Sequence, residues 1–189
     1  MTILPTDTFE RSPKLDVLCV PGGAGVNPLM ADEVVLNFLR GQAAHARYVT
    51  AVCTGALLLG AAGLLRGYRA TTHWLSLDLL TIFGAEPVEK RVVVDRNRIT
   101  GAGVTAGIDF GLAMIATLRG ESIAREIQLQ LEYDPAPPFV SGSPDTALAA
   151  TVTSVREKRH QTQLERRRLA ELAASRLQES PVVSRENKD

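Results

Sequence analysis

The stretch "YVTAVCTGALLLGAAGLL" (residues 48–65) decides how this chain is read. A β-branched apolar run ends on Cys53, Thr54 and Gly55, and an Ala- and Leu-rich run follows. The first half reads as a buried strand, and the second as a helix beginning at Thr54 and fading at Gly63 to Gly67. A strand that runs through Cys-Thr-Gly into a helix is the unit from which α/β folds are built.

Working outward, "LDVLCVPGG" (residues 15–23) reads as another short buried strand entering a glycine turn. Residues 27–46 have helical spacing, with Leu29, Val34, Val35, Phe38 and Leu39 on one face. "YRATTHW" (residues 68–74) suggests a third strand and residues 75–83 a short helix. "RVVVDRNRIT" (residues 91–100) has the outline of a hairpin turning at residues 95–97. The glycine-rich "GAGVTAG" (residues 101–107) leads into a helix, and residues 121–132 form a further one. Strands that are continuous apolar runs alternating with helices predict a mainly parallel sheet covered on both faces. The Pro-rich "YDPAPPFVSGSPDTA" (residues 133–147) marks the end of the compact domain. The predicted organisation is therefore a domain over 1–146 and a C-terminal helical extension and tail over 147–189.

The totals exclude several classes. The 189 residues suffice for one domain with a real core. Lys plus Arg equals Asp plus Glu at 21 each, so no global field draws in nucleic acid or an anionic membrane. Residues 1–150 carry 12 basic and 15 acidic groups, and residues 151–189 carry 9 and 6. The "RRR" run at 166–168 is interleaved with Glu165 and Glu171, which reads as a solvated helix face rather than a nucleic-acid surface. Two cysteines make no disulfide framework, and no signal peptide or membrane span is visible, so a cytoplasmic location is expected. His45, His73 and His160 have no ligand spacing with either cysteine, so no metal site is expected. "GAGVTAG" also lacks the spacing of a dinucleotide fingerprint and reads as close backbone packing.

Cys53 is the candidate nucleophile. Beyond the carboxyl end of a parallel strand it would be lifted from the sheet and held at a helix N-terminus, where the thiolate is favoured. The alternative is a buried core cysteine, a reading that fits Cys19, flanked by apolar neighbours. "PGGAG" (residues 21–25) should open onto the same sheet edge. The amides of Gly22, Gly23 and Ala24 would then line the pocket as an oxyanion hole, or simply make a turn. Thr54 sets a hydroxyl beside the sulfur, to donate to a substrate or position a water. His73 is a candidate for support of the site, or a purely structural residue. Trp74 and Tyr133 either line a pocket or fill core.

"DVLCVPGGAG", "AVCTGALLLGAAGLLRGYRATTHW" and "TAGIDFGLAMIA" resemble the ThiJ/PfpI superfamily. Together with "QLQLEYDPAPPFVSGSPDTA" they are most similar to its isonitrile (isocyanide) hydratase branch. The resemblance implies a flavodoxin-like domain, of the class I glutamine amidotransferase-like kind, that forms a homodimer. It also implies a hydro-lyase needing no cofactor, which converts an isonitrile and water to an N-substituted formamide. Cys53 would attack the terminal carbon to give a thioimidate, with Thr54 matching the family's threonine and Gly22 and Gly23 its pocket loop. That branch also has an N-terminal strand, helix and second strand, whose acidic residue assists the cysteine. The sequence begins after the matching point, and Asp7, Glu10 and Asp16 do not take that role. An N-terminally truncated domain with weak or absent hydratase activity is the expectation for the chain as written. The resemblance extends to the sensor domains of AraC-type transcription regulators, and a catalytically silent dimeric binding module is the third reading.

Overall fold

The computed structural model describes residues 4–179. Its centre is a four-stranded sheet of β1 (Val17–Val20), β2 (Tyr48–Val52), β5 (Val92–Asp95) and β6 (Arg98–Gly101), in the order β1-β2-β6-β5. β1, β2 and β6 are parallel, with Val17 opposite Tyr48 and Val49 opposite Arg98. β5 runs antiparallel to β6, and the hairpin turns where Arg96 takes a φ of 53°. The sequence alternation thus gives the expected α/β fold, a mostly parallel sheet flanked by helices.

The larger core cluster gathers on one face around α3 (Gly55–Ala61), every residue of which is buried. α2 (Glu33–Ala43) packs on β1 from this side, and α6 (Ala149–Glu179) packs against α3. α4 (Ala106–Arg119) covers β2, β5 and β6 on the other face, where Ile99, Phe110 and Met114 form a smaller cluster. α5 (Glu121–Gln130) lies against α4. α6 contributes Leu169, Ala170, Ala173 and Ala174 to the larger core.

Two elements differ from their predicted form. The helix expected over 27–46 is divided into α1 (Val26–Leu29) and α2, because Asp32 is an extended N-cap. Its Oδ1 accepts from Val34 N at 2.9 Å and Val35 N at 3.2 Å, satisfying amides that open α2. The strand expected at 68–74 is reduced to β3 (Arg69–Ala70), which pairs with β4 (Glu86–Pro87) outside the main sheet. Thr71 N instead donates to Thr100 Oγ1 at 2.9 Å, and Thr72 Oγ1 donates to the Cys53 carbonyl at 2.7 Å. The chain therefore turns aside at the carboxyl ends of β2 and β6 and enters a 3-10 segment, Trp74–Phe83.

Cys19 also departs from its predicted burial and is exposed. Leu18 and Val20 point into the larger cluster, which turns Cys19 to the opposite face of β1. α4 covers the sheet further along, over β2, β6 and β5.

Candidate active site

β2 ends at Val52, α3 begins at Gly55, and Cys53 occupies the corner between them with a φ of 57°. This left-handed conformation is unfavourable for a residue with a Cβ, costing on the order of 1–3 kcal/mol. Contacts on both sides hold it. Cys53 N donates to Gly101 O at 2.9 Å, and Cys53 O accepts from the buried Thr72 hydroxyl at 2.7 Å. The result is the geometry of a nucleophile elbow, with the side chain raised from the sheet edge and only partly buried.

Two glycines make the corner possible. A Cβ on Gly55 would sit 2.2 Å from Val20 O, so the first turn of α3 can pass β1 only without a side chain. A Cβ on Gly22 would meet Cys53 Cβ and Thr54 N, each at 2.7 Å. Gly22 therefore brings the 21–25 loop directly against the cysteine, on the sheet edge where the sequence places it.

Thr54 binds that loop. Its Oγ1 accepts from Gly23 N at 3.1 Å and lies 3.4 Å from Gly23 O. The Gly23 amide is thereby engaged with Thr54. Among the described residues, the Gly22 and Ala24 amides have no hydrogen-bond acceptor. The loop that Gly22 brings against Cys53 thus keeps two free amides, and the Thr54 hydroxyl fixes its position.

His73 caps the 3-10 segment, its Nδ1 accepting from Leu75 N at 3.3 Å. Its pKa lies below the usual histidine value, first because of burial and then because of the positive charges of Arg166 and Arg159. A neutral ring with Nδ1 as acceptor carries its proton on Nε2. His73, Thr72 and Trp74 line a cavity of about 680 Å³ together with Gly103, Val104 and Thr105. A Cβ on Gly103 would lie 3.5 Å from His73 Cδ2, so "GAGVTAG" packs closely against this wall. Tyr133 OH donates to Asp109 Oδ2 at 3.3 Å, and Arg91 Nε donates to the same oxygen at 3.0 Å.

The residue that the sequence reading missed is Arg166. It belongs to the "RRR" run taken as a solvated face, yet it is 7% exposed. Arg166 Nε donates to Asn27 Oδ1 at 2.8 Å, and Nη1 donates to Ser76 Oγ at 3.0 Å. With the Gln163 amide oriented to donate to Leu75 O, its oxygen also accepts from Arg166 Nη1 at 3.0 Å. Burial lowers the Arg166 pKa, interaction with the Cys53 charge opposes that, and Arg159 reinforces it. The available signal was periodicity: Arg166 is on the helical stripe of Leu169, Ala170, Ala173 and Ala174, whereas Arg167 and Arg168 fall off it.

Asp7 and Glu10 lie in the exposed segment before β1, with Asp7 3.8 Å from Arg11. Among the described residues, no carboxylate hydrogen-bonds to Cys53 or Thr54. None of their His, Cys, Asp and Glu side chains are grouped in threes to hold a metal ion. No described helix is long and apolar enough to cross a membrane.

Comparison with known proteins agrees with this fold. The chain is 58% identical over 177 residues to an isonitrile hydratase from Pseudomonas putida, a match covering 94% of this chain and 78% of the relative. It is 34% identical over 136 residues to the HTH-type transcriptional regulator GbdR of Pseudomonas aeruginosa, covering 71% of this chain but 37% of the regulator. A crystal structure of a ThiJ/PfpI family protein from Pseudomonas syringae superposes with a TM-score of 0.87 at 50% identity. That superposition covers 90% of this chain and 71% of the other. The DJ-1/PfpI family profile matches residues 1–117, and the chain belongs to the DJ-1/PfpI family.

Proposed function

We propose that the protein hydrates an isonitrile to the corresponding N-substituted formamide, with Cys53 as nucleophile. The observation that carries this reading is the 58% identity to an isonitrile hydratase over nearly the whole chain, and Cys53 held in an elbow supports it. The Cys53 thiolate adds to the terminal isonitrile carbon, forming a C–S bond, and that carbon takes a proton to give a thioimidate. Water then adds to the same carbon, and the tetrahedral adduct collapses to the formamide with release of the thiolate. The net change is addition of one water. In this scheme Thr54 fixes the loop through Gly23, and the Gly22 and Ala24 amides face the charge that develops during addition. His73 supports the wall of the cavity as a neutral side chain. The family resemblance also favours a homodimer, and sedimentation velocity at micromolar concentration tests that state.

The test is formamide formation from n-butyl isonitrile, followed by infrared loss of the isonitrile stretch. Because no carboxylate among the described residues hydrogen-bonds to Cys53 or Thr54, the expected result is slow turnover, and it disappears in Cys53→Ala. Turnover surviving that substitution would overturn the reading. A second reading is supported by the similarity to GbdR: a ligand-sensing domain of the kind found in such regulators. It predicts reversible binding of a small molecule without turnover, which calorimetry separates from covalent chemistry.

A further inference from the structure

Arg166 is an unusual buried cation. Its guanidinium hydrogen-bonds to Asn27 Oδ1 and Ser76 Oγ, and to the Gln163 amide oxygen in the orientation above. All three acceptors are neutral. Among the described residues, no carboxylate lies within ion-pair distance of it, whereas Arg167 and Arg168 on the same helix are paired with Asp78 and Glu165. A charge removed from water normally requires a partner of opposite sign.

Its surroundings indicate which partner. Asn27 is two residues beyond the loop whose Gly22 abuts Cys53 Cβ. Ser76 is four residues beyond Thr72, whose hydroxyl holds the Cys53 carbonyl. Arg166 therefore joins the two segments that flank Cys53, and the Cys53 charge acts on its guanidinium against the effect of burial. The neighbouring groups supply no competing anion. α1 and α3 carry no charged side chain, and the 3-10 segment carries only Asp78, which Arg167 occupies. Arg159 has the same sign, and His73 is held neutral. Arg156 lies over the Trp74 ring at 5.7 Å. Glu89 lines both the His73 cavity and an adjoining one of about 630 Å³ that His160 and Gln163 also line, and it makes no ion pair with Arg166.

We propose that Arg166 is a positioning residue whose uncompensated guanidinium holds Cys53 as the thiolate, the sulfur serving as its counter-ion. The proposal rests on Cys53 being the reactive thiol and deepens that reading. The proton lost by Cys53 passes to solvent, and the guanidinium remains charged throughout. α6 thereby supplies the charge that arms a nucleophile located on another part of the chain.

The test is the pH dependence of iodoacetamide alkylation at Cys53, read by peptide mass spectrometry in a Cys19→Ser background, because Cys19 is exposed and would also react. An opposite charge at close range moves an ionisation by about one to three pH units. Arg166→Gln is therefore expected to raise the alkylation midpoint by at least about one pH unit, and Arg166→Lys to restore most of the shift. Asn27→Asp keeps the arginine and the shape of its partner but gives it a carboxylate. It is expected to raise the midpoint as well, and it decides the matter if Arg166→Gln does not fold. A midpoint unchanged in folded Arg166→Gln, or in Asn27→Asp where that variant decides, would overturn the proposal, even with a lowered melting temperature. Alkylation requires no isonitrile, so the result is independent of whether the protein turns over that substrate.

Discussion

Cys19 and Cys53 belong to neighbouring parallel strands that run in the same direction, yet they are different chemical objects. Cys19 sits inside β1 opposite Thr50, in ordinary extended backbone, and faces outward. Cys53 lies one residue past the end of β2, in a left-handed conformation fixed by Gly101 O and the Thr72 hydroxyl. The exposed thiol is thus the one without a built environment, and the partly buried thiol has one. The difference teaches that a thiol's accessibility and the environment built around it are separate properties. A rigid corner and a loop with free amides packed against it distinguish the second cysteine from the first.

The sharpest way to break this comparison is to exchange each sulfur. Cys53→Ala is expected to lower isonitrile hydration by at least about a thousandfold, as loss of a nucleophile typically does. Cys19→Ser should leave the rate within about twofold and stability within about 0.5 kcal/mol, as exposed substitutions do. A larger loss at Cys19 than at Cys53 in the hydration assay would invert the assignment.

Gly55→Ala attacks the corner itself. The added methyl would lie 2.2 Å from Val20 O, against backbone that has no rotamer to yield. A stability loss of about 3 kcal/mol or more is expected from urea denaturation, with misfolding as its extreme. Thr72→Val is gentler. It leaves the Cys53 carbonyl without its buried donor and should cost about 1–3 kcal/mol by the same measurement. It should also slow alkylation of Cys53 but not of Cys19.

The smallest effect is pH dependence. The folded-state pKa of His73 lies below its ordinary value, so the unfolded chain binds more protons between those two values. Stability therefore rises with pH through that window and falls on acidification below about pH 6.5. Melting temperatures across pH 5–7 should show this slope, and His73→Gln should flatten it.

The features legible in the sequence were those written locally. The turn from β2 through Cys-Thr-Gly to α3 follows from apolar runs broken by small residues, and the β5–β6 hairpin from its polar tip at Arg96 and Asn97. The close approach of residues 21–25 to Cys53 followed from parallel strands ending on one edge. What was hidden depended on competition or distance. Asp32 divides a run of helical periodicity because its carboxylate offers the amides of Val34 and Val35 a better partner than another turn would. "YRATTHW" has strand propensity, but Thr71 and Thr72 commit their hydrogen bonds to Thr100 and Cys53. Cys19 looks like core in a one-dimensional window because its neighbours face inward and it does not. Arg166 carried a periodic signal that its charged neighbours masked.

The hydrogen bond between Arg166 and Asn27 joins positions 139 residues apart, and that between Arg166 and Ser76 joins positions 90 apart. Contacts of such separation bear a large chain-closure entropy and tend to form late, after local helices and hairpins. The corner that holds Cys53 and the cation proposed to act on it thus come from distant parts of the chain, and only the closed fold brings them together.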